Sequence, residues 1–478
     1  MTVKPLLING EWVQTSHTVA NVNPSDTSDV IAEHAQAGLS ETQHAIEAAS
    51  MAADSWVHSS IQQRHDILKA AGDEIMGRRD EIGELLAREE GKTRKEGVAE
   101  TVRAAQLFDF FAGEALRLTG DKLPSVRAGV DVEITREPVG VIGVITPWNF
   151  PIAIPSWKIA PALCHGNAVV FKPAELVPGC AWIITDILHR AGLPRGVLNL
   201  ITGPGRVVGQ ELVDNPKVDA ITFTGSVGTG RRIAAGCVSK MKKFQLEMGG
   251  KNPLVILNDA DLDNAVECAV NGAFYSTGQR CTASSRLIVE DGIYGQFVDK
   301  VVERLRGLHV DDALKEGTDI GPVVDETQLR QDLEYIDIGR RDGGSIRFGG
   351  ERLRRQKDGF YLSPALITET TSQMRINQEE VFGPVASVIR VRDYEEALFV
   401  ANDVEFGLSA GICTTSLKHS SHYKRNAKAG MVMVNVPTAG VDYHVPFGGS
   451  KGSSYGPREQ GRYAQEFFTT VKTAYTKP

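Results

Sequence analysis

The stretch Asp219–Gly236, "DAITFTGSVGTGRRIAAG", decides how the chain folds. It starts as a short β-rich apolar run (219–224), passes through Gly225, Gly228 and Gly230, and opens into a helix-length segment. A strand that runs through glycines into a helix is the building unit of a parallel sheet covered by helices. Similar runs stand at "GVIGVIT" (140–146), "NAVVF" (167–171), "GVLNLI" (196–201) and "FQLEM" (244–248), with the helix-length "CAWIITDILHRAG" (180–192) among them. This rhythm predicts an open, doubly wound, Rossmann-like α/β domain. The N-terminal third, by contrast, is rich in helical signals.

The rhythm then resumes. "NPLVIL" (252–257) and "SRLIVE" (285–290) flank a segment in which Leu262, Ala265, Val266, Ala269, Val270, Ala273 and Phe274 recur at helical spacing. That stripe is one buried face. The helix must end before Gly278, so Cys281 falls on a loop just beyond a rigid element. A second α/β domain from about 249 to 450 follows. "GVDVEITRE" (129–137) and the near-terminal "FFTTVKTAYT" (467–476) are strand-like and belong to neither domain. An exposed terminal strand invites pairing with another chain. The expected division is 1–119 with 139–248, then 249–450, with 120–138 and 451–478 as an oligomerising β-element.

Composition narrows the function. The chain of 478 residues carries a formal net charge of −8, which argues against nucleic acid as the main partner. The N-terminus has no apolar core of a secretory signal. Residues 138–157 are uncharged, but Pro138, Pro147, Pro151 and Pro155 interrupt them, against a lipid-exposed helix. Six scattered cysteines form no CxxC pair, so zinc has no support and a reducing, cytoplasmic setting is expected.

Several motifs carry chemistry, and each also has an ordinary reading. The glycines of 223–230 open a helix N-terminus to a diphosphate, yet their spacing is not GxGxxG and a tight turn explains them equally. Gly203–Gly209 misses the same fingerprint by one residue. In "VVFKPAE" (169–175), Lys172 and Glu175 follow a strand and suit ribose hydroxyls, or form a solvated ion pair. Asn149 in "TPWNFP" is a rigidly presented amide able to donate to an oxyanion, or a turn residue. Glu247 in "FQLEMGGKN" ends an apolar strand, where desolvation raises a carboxyl toward general-base duty. Cys281 stands apart from the other five cysteines, which lie in apolar or helical contexts. Arg280 beside it favours a thiolate if the guanidinium lies close.

The order and separation of "PWNFP", "FKPAE", "FTGS", "LEMGGKNP", "GQRCTA", "EEVFGPV" and "PFGGSKGSSYG" resemble the aldehyde dehydrogenase superfamily over essentially the whole chain. The resemblance implies NAD(P)-dependent oxidation of an aldehyde to a carboxylate. It implies Cys281 as nucleophile, Glu247 as general base, Asn149 with the Cys281 backbone N–H as oxyanion hole, and Lys158 as a supporting lysine. For the cofactor it implies Lys172 and Glu175 at the adenine ribose; Ile145, Trp148, Gly205, Gly225 and Ser226 around adenosine and diphosphate; and Glu380 and Phe382 at the nicotinamide ribose and ring. Glu175 would repel a 2′-phosphate, so NAD is expected over NADP. Residues 435–461 resemble bacterial enzymes acting on 2-oxoglutarate semialdehyde (2,5-dioxopentanoate), which places Val441 and Tyr443 at the substrate mouth. Arg280 would attract an acidic substrate, while Phe150, Trp157 and Phe111 would line an apolar funnel equally suited to an aromatic or aliphatic aldehyde. A CoA-acylating relative would lack the glutamate that stands here at 247. A homodimer or homotetramer is expected, with no nucleic acid or membrane partner.

Overall fold

A computed structural model describes residues 3–478. Its first large sheet has eight strands, in the spatial order Ser454–Tyr455, Lys243–Glu247, Ala220–Thr224, Val141–Ile145, Ala168–Lys172, Leu198–Leu200, Leu6–Ile8 and Glu11–Val13. The run from Lys243–Glu247 to Leu198–Leu200 is parallel. Strands Val141–Ile145 and Ala168–Lys172 are buried along their whole length, as strands covered on both faces must be. Register sets Leu246, Phe223, Ile145 and Lys172 in one row across the sheet. The C-terminal ends of these strands therefore share one edge, where ligands bind in such sheets.

The second sheet has seven strands and centres on Arg286–Glu290 and Pro253–Ile256. Between these two strands runs the helix Leu262–Phe274, capped by Asp261, whose side chain accepts from Asn264 N. Its stripe of Ala265, Val266, Ala269, Val270, Ala273 and Phe274 is buried as expected. In the third sheet, Asp131–Pro138 pairs antiparallel with Asp121–Pro124 and with Thr469–Thr476, in register from Thr469 opposite Pro138 to Thr476 opposite Asp131.

Two features depart from the sequence reading. Strands Leu6–Ile8 and Glu11–Val13 extend the first sheet, and Thr18–Asn23 with Asp26–Ala35 forms part of a further small sheet. Leu6–Ile8 and Glu11–Val13, three residues each, are too short to show a period of two. Ser454–Tyr455, within the terminal segment set apart above, pairs with Leu246 and Glu247 of the first sheet.

Two helices frame the site. Arg94–Ala115 starts in a capping box between Thr93 and Glu96. It packs Phe108 and Phe111 into the core. Ala153–Cys164 is buried at every residue, because it lies beneath the sheet and the helices above.

Candidate active site

Cys281 follows the helix Leu262–Phe274 of the second sheet and shares a cavity with Thr224 and Gly225 at the end of a first-sheet strand. Of the six cysteines it alone is not fully buried. The loop before it is held in an unusual shape: Ser276, Thr277 and Gly278 have φ of 51°, 55° and 65°. Two non-glycine residues in the left-handed region persist only where the surroundings hold them. Glu96 accepts from Ser276 N at 2.7 Å and from Ser276 Oγ at 3.0 Å, and Thr277 Oγ1 donates to Gly321 O at 3.2 Å. Gly278 is required on a second ground, since a Cβ there would lie 2.1 Å from Gly383 O.

Burial, Glu380 and Glu247 together push the Cys281 thiol up to about 12, while the backbone N–H groups of Cys281 and Thr282 pull the other way. Arg280 does not serve this sulfur. Its Nη2 donates to Ser276 Oγ at 2.9 Å and to Glu96 at 3.4 Å, and its Nη1 reaches Asn271 O at 3.3 Å. The condition set for Arg280, a guanidinium given to the thiolate, is not met: an adjacent chain position does not make an adjacent charge.

Asn149 is buried, and its Nδ2 donates to Gln279 O at 3.0 Å, two residues before the cysteine. Lys92 Nζ holds the Asn149 carbonyl at 2.7 Å and Glu100 Oε2 at 2.8 Å. Glu100 Oε1 accepts from Ile152 N at 2.9 Å and Ala153 N at 3.0 Å, the start of the helix that carries Trp157 and Lys158. Asn149 is thus fixed from both of its ends.

Glu247 is buried, and burial and then Glu459 hold its carboxyl well above the ordinary range. Ser454 Oγ donates to its Oε2 at 2.6 Å and works in the opposite direction. Lys158 Nζ is buried, donates to Thr222 Oγ1 at 2.8 Å and pairs with Glu459 Oε1. Lys158 thus compensates the carboxylate that lies behind the base.

Two cavities meet at Cys281. One, of about 320 Å³, is lined by Phe150, Trp157, Arg280, Val441 and Phe447 among others. The second, of about 250 Å³, is lined by Trp148, Asn149, Gly225, Ser226, Glu380 and Phe382 among others. Glu380 accepts from Gly250 N at 2.8 Å, and burial pushes its carboxyl up to about 7. A Cβ on Gly249 would fall 2.1 Å from that carboxylate, which explains the glycine there. Phe382, at φ 68°, meets the Trp148 ring edge-on at 5.4 Å.

Farther along the sheet edge, Ile145 and Lys172 end neighbouring strands. Lys172 is buried with Nζ on Pro173 O at 2.9 Å, and the exposed Glu175 accepts from Gly205 N at 3.3 Å. The helix Val227–Ser239 begins at Ser226 with no side-chain cap, leaving its first N–H groups free for an anion. Two expected substrate residues lie elsewhere. Phe111 is 1% exposed in the core, and Tyr443 packs on Phe110 with centroids 6.3 Å apart; helical spacing turns Phe111 inward.

A cysteine and an amide donor on one cavity, with a raised carboxyl acting on the thiol, are the parts of acyl chemistry on a thiol. The chain matches the aldehyde dehydrogenase family over residues 12–474. It belongs to that family. Among relatives of this aldehyde dehydrogenase, alpha-ketoglutaric semialdehyde dehydrogenase of Bacillus subtilis is 45% identical over 476 residues, covering 98% of this chain and 97% of that one. Alpha-ketoglutarate semialdehyde dehydrogenase of Haloferax volcanii is 42% identical over 475 residues, 98% of each chain. The crystal structure of betaine aldehyde dehydrogenase from Staphylococcus aureus in complex with NAD+ superposes with a TM-score of 0.97 at 33% identity, covering 99% of this chain and 95% of that one. Reading the sequence missed Lys92, Glu100, Ser454 and Glu459; isolated charges and serines carry no local signal of a distant partner.

Proposed function

We propose that this aldehyde dehydrogenase oxidises 2-oxoglutarate semialdehyde to 2-oxoglutarate with NAD. The observation that carries the chemistry is Cys281 lining one cavity with Asn149, while the buried, raised Glu247 acts electrostatically on its thiol. The acidic substrate rests on the likeness to the two semialdehyde dehydrogenases. Thiolate attack by Cys281 on the aldehyde carbon makes a hemithioacetal whose oxygen is negative. The second Asn149 N–H and the Cys281 backbone N–H are the donors for that oxygen, a contribution of ~3–4 kcal/mol per donor.

The second cavity and the adjoining sheet edge fit a dinucleotide. The uncapped start of Val227–Ser239 suits its diphosphate, Lys172 and Glu175 suit an unphosphorylated ribose, and Glu380 and Phe382 suit the ribose and ring nearest Cys281. The nicotinamide, when bound, supplies the hydride acceptor that turns the hemithioacetal into a thioester. Glu247 then takes a proton from water, which attacks the thioester carbonyl, and the acid leaves as Cys281 is freed.

On the third sheet Val471 and Tyr475 are 59% and 61% exposed, an apolar edge suited to a partner copy in a homodimer or homotetramer. Among the described residues no helix is long and apolar enough to cross a membrane. The six free cysteines fit the cytoplasm.

The test is kcat/KM with NAD for 2-oxoglutarate semialdehyde, succinic semialdehyde, glyceraldehyde 3-phosphate, benzaldehyde and hexanal. The five-carbon acid is expected to lead, with free acid formed without CoA. A wide lead for hexanal or benzaldehyde would overturn the substrate. Cys281→Ala is expected to abolish turnover on all five.

A further inference from the structure

Lys92, Arg103 and Arg280 are the cations that line the cavity on the substrate side of Cys281. Two of them are already engaged. Lys92 Nζ holds Glu100 and the Asn149 carbonyl. Arg280 holds Glu96, Ser276 and Asn271.

Arg103 differs. Its Nη2 donates to Gln460 Oε1 at 3.0 Å, and its Nε is buried with no partner. Among the described residues no carboxylate pairs with it. Its guanidinium carbon lies 5.6 Å from the Trp157 ring centroid, a cation–π contact that orients the plane. Gln460, which holds the far nitrogen, is itself fully buried with Nε2 unpartnered. A buried donor left unmade is unfavourable by ~1–3 kcal/mol, so a fold that keeps one beside a cavity leaves room for an acceptor from outside. Guanidinium is planar and forked, and the ligand class that matches it is a carboxylate gripped by two parallel N–H donors.

We propose that Arg103 is the residue that selects the acidic substrate: it binds the carboxylate at the far end of a semialdehyde whose aldehyde carbon faces Cys281. Gln460 is its positioning residue. The helix Arg94–Ala115 makes this possible, because Glu96, Glu100 and Arg103 recur at helical spacing and all line the one cavity. Its first two acids neutralise the other two cations, and its arginine is left over. This assignment rests on the acidic-substrate reading above and deepens it.

The experiment compares wild type, Arg103→Gln and Arg103→Lys on 2-oxoglutarate semialdehyde and on pentanal, an uncharged aldehyde of the same chain length. Loss of a hydrogen-bonded charge is expected to raise KM for the acid roughly 10- to 100-fold in Arg103→Gln, with kcat little changed. Pentanal kcat/KM should hold, which also shows that the variant is folded. Arg103→Lys should recover part of the loss, since it keeps the charge and gives up the fork. Equal loss on both substrates, or no loss on either, overturns the assignment. A wild type with no preference for the acid over pentanal overturns the substrate reading; a preference that survives Arg103→Gln overturns only Arg103.

Discussion

At the scale of single residues, the state of Glu247 governs release of the product. Its carboxyl is held well above the ordinary range by burial and by Glu459, against the hydrogen bond from Ser454. A raised acid becomes a base only as pH climbs, so the hydrolytic step should accelerate from acid toward alkaline pH. Ser454 lowers that acid, so Ser454→Ala removes a stabiliser of the charged form. Its kcat is expected to fall on the acid side of the pH profile, by up to about tenfold for a missing hydrogen bond of about 1.4 kcal/mol, and to recover at high pH. The pH profile of kcat, or of thioester hydrolysis in a single turnover, checks this; a uniform loss at every pH would assign Ser454 a merely structural part. Only part of this was legible locally. "LEMGGKN" announced a desolvated carboxylate, but the serine that restrains it stands 207 positions away along the chain.

At the scale of elements, the site depends on pieces that are rigid because they are buried. The helix Ala153–Cys164 was hard to place from its sequence, since an apolar face on every side shows no period. Its one cation, Lys158, pairs with Glu459 from the C-terminal segment, both at most 2% exposed. Removing one member of a buried pair leaves an uncompensated charge and destabilises by ~3–5 kcal/mol, whereas replacing both with apolar groups does far less harm. Lys158→Met and Glu459→Leu are each expected to lower the urea midpoint strongly, and the double variant to regain much of it. Additive losses would show that the two side chains act separately. The helix Leu262–Phe274 was readable for the opposite reason: one face is buried and the other wet, so the period of the core is written in the chain. Its end before Gly278 was readable too, but not the left-handed pair Ser276–Thr277, which Glu96, Arg280 and Gly321 hold in place.

At the scale of the whole molecule, the third sheet presents an open edge strand. Residues 470–476 are exposed along their whole length, and a strand with an open apolar face is a template for another chain. Deleting residues 469–478 is expected to leave both large sheets folded but to shift the assembly toward smaller species in light scattering, with a lower thermal midpoint from the lost contacts. An unchanged mass would move the subunit contact elsewhere. The two large sheets were visible because each repeats strand and helix. Strands Leu6–Ile8, Glu11–Val13 and Ser454–Tyr455 were not, because strands of two or three residues take their conformation from the neighbour they pair with.

The order of apolar runs, glycine turns and helical stripes by itself determined the α/β architecture, because burial of one face per element must appear as a period in the chain. It also singled out Cys281, Glu247 and Asn149, whose contexts are short and local. Only the tertiary structure decided which charges stand together. It turned Arg280 away from the thiol, set Lys158 against Glu459, buried Phe111 in the core, and left Arg103 beside the reacting cysteine with a donor unmade. The physical reason is range: hydrophobic patterning is a property of neighbours in sequence, whereas a charge is defined by what lies a few ångströms away in space.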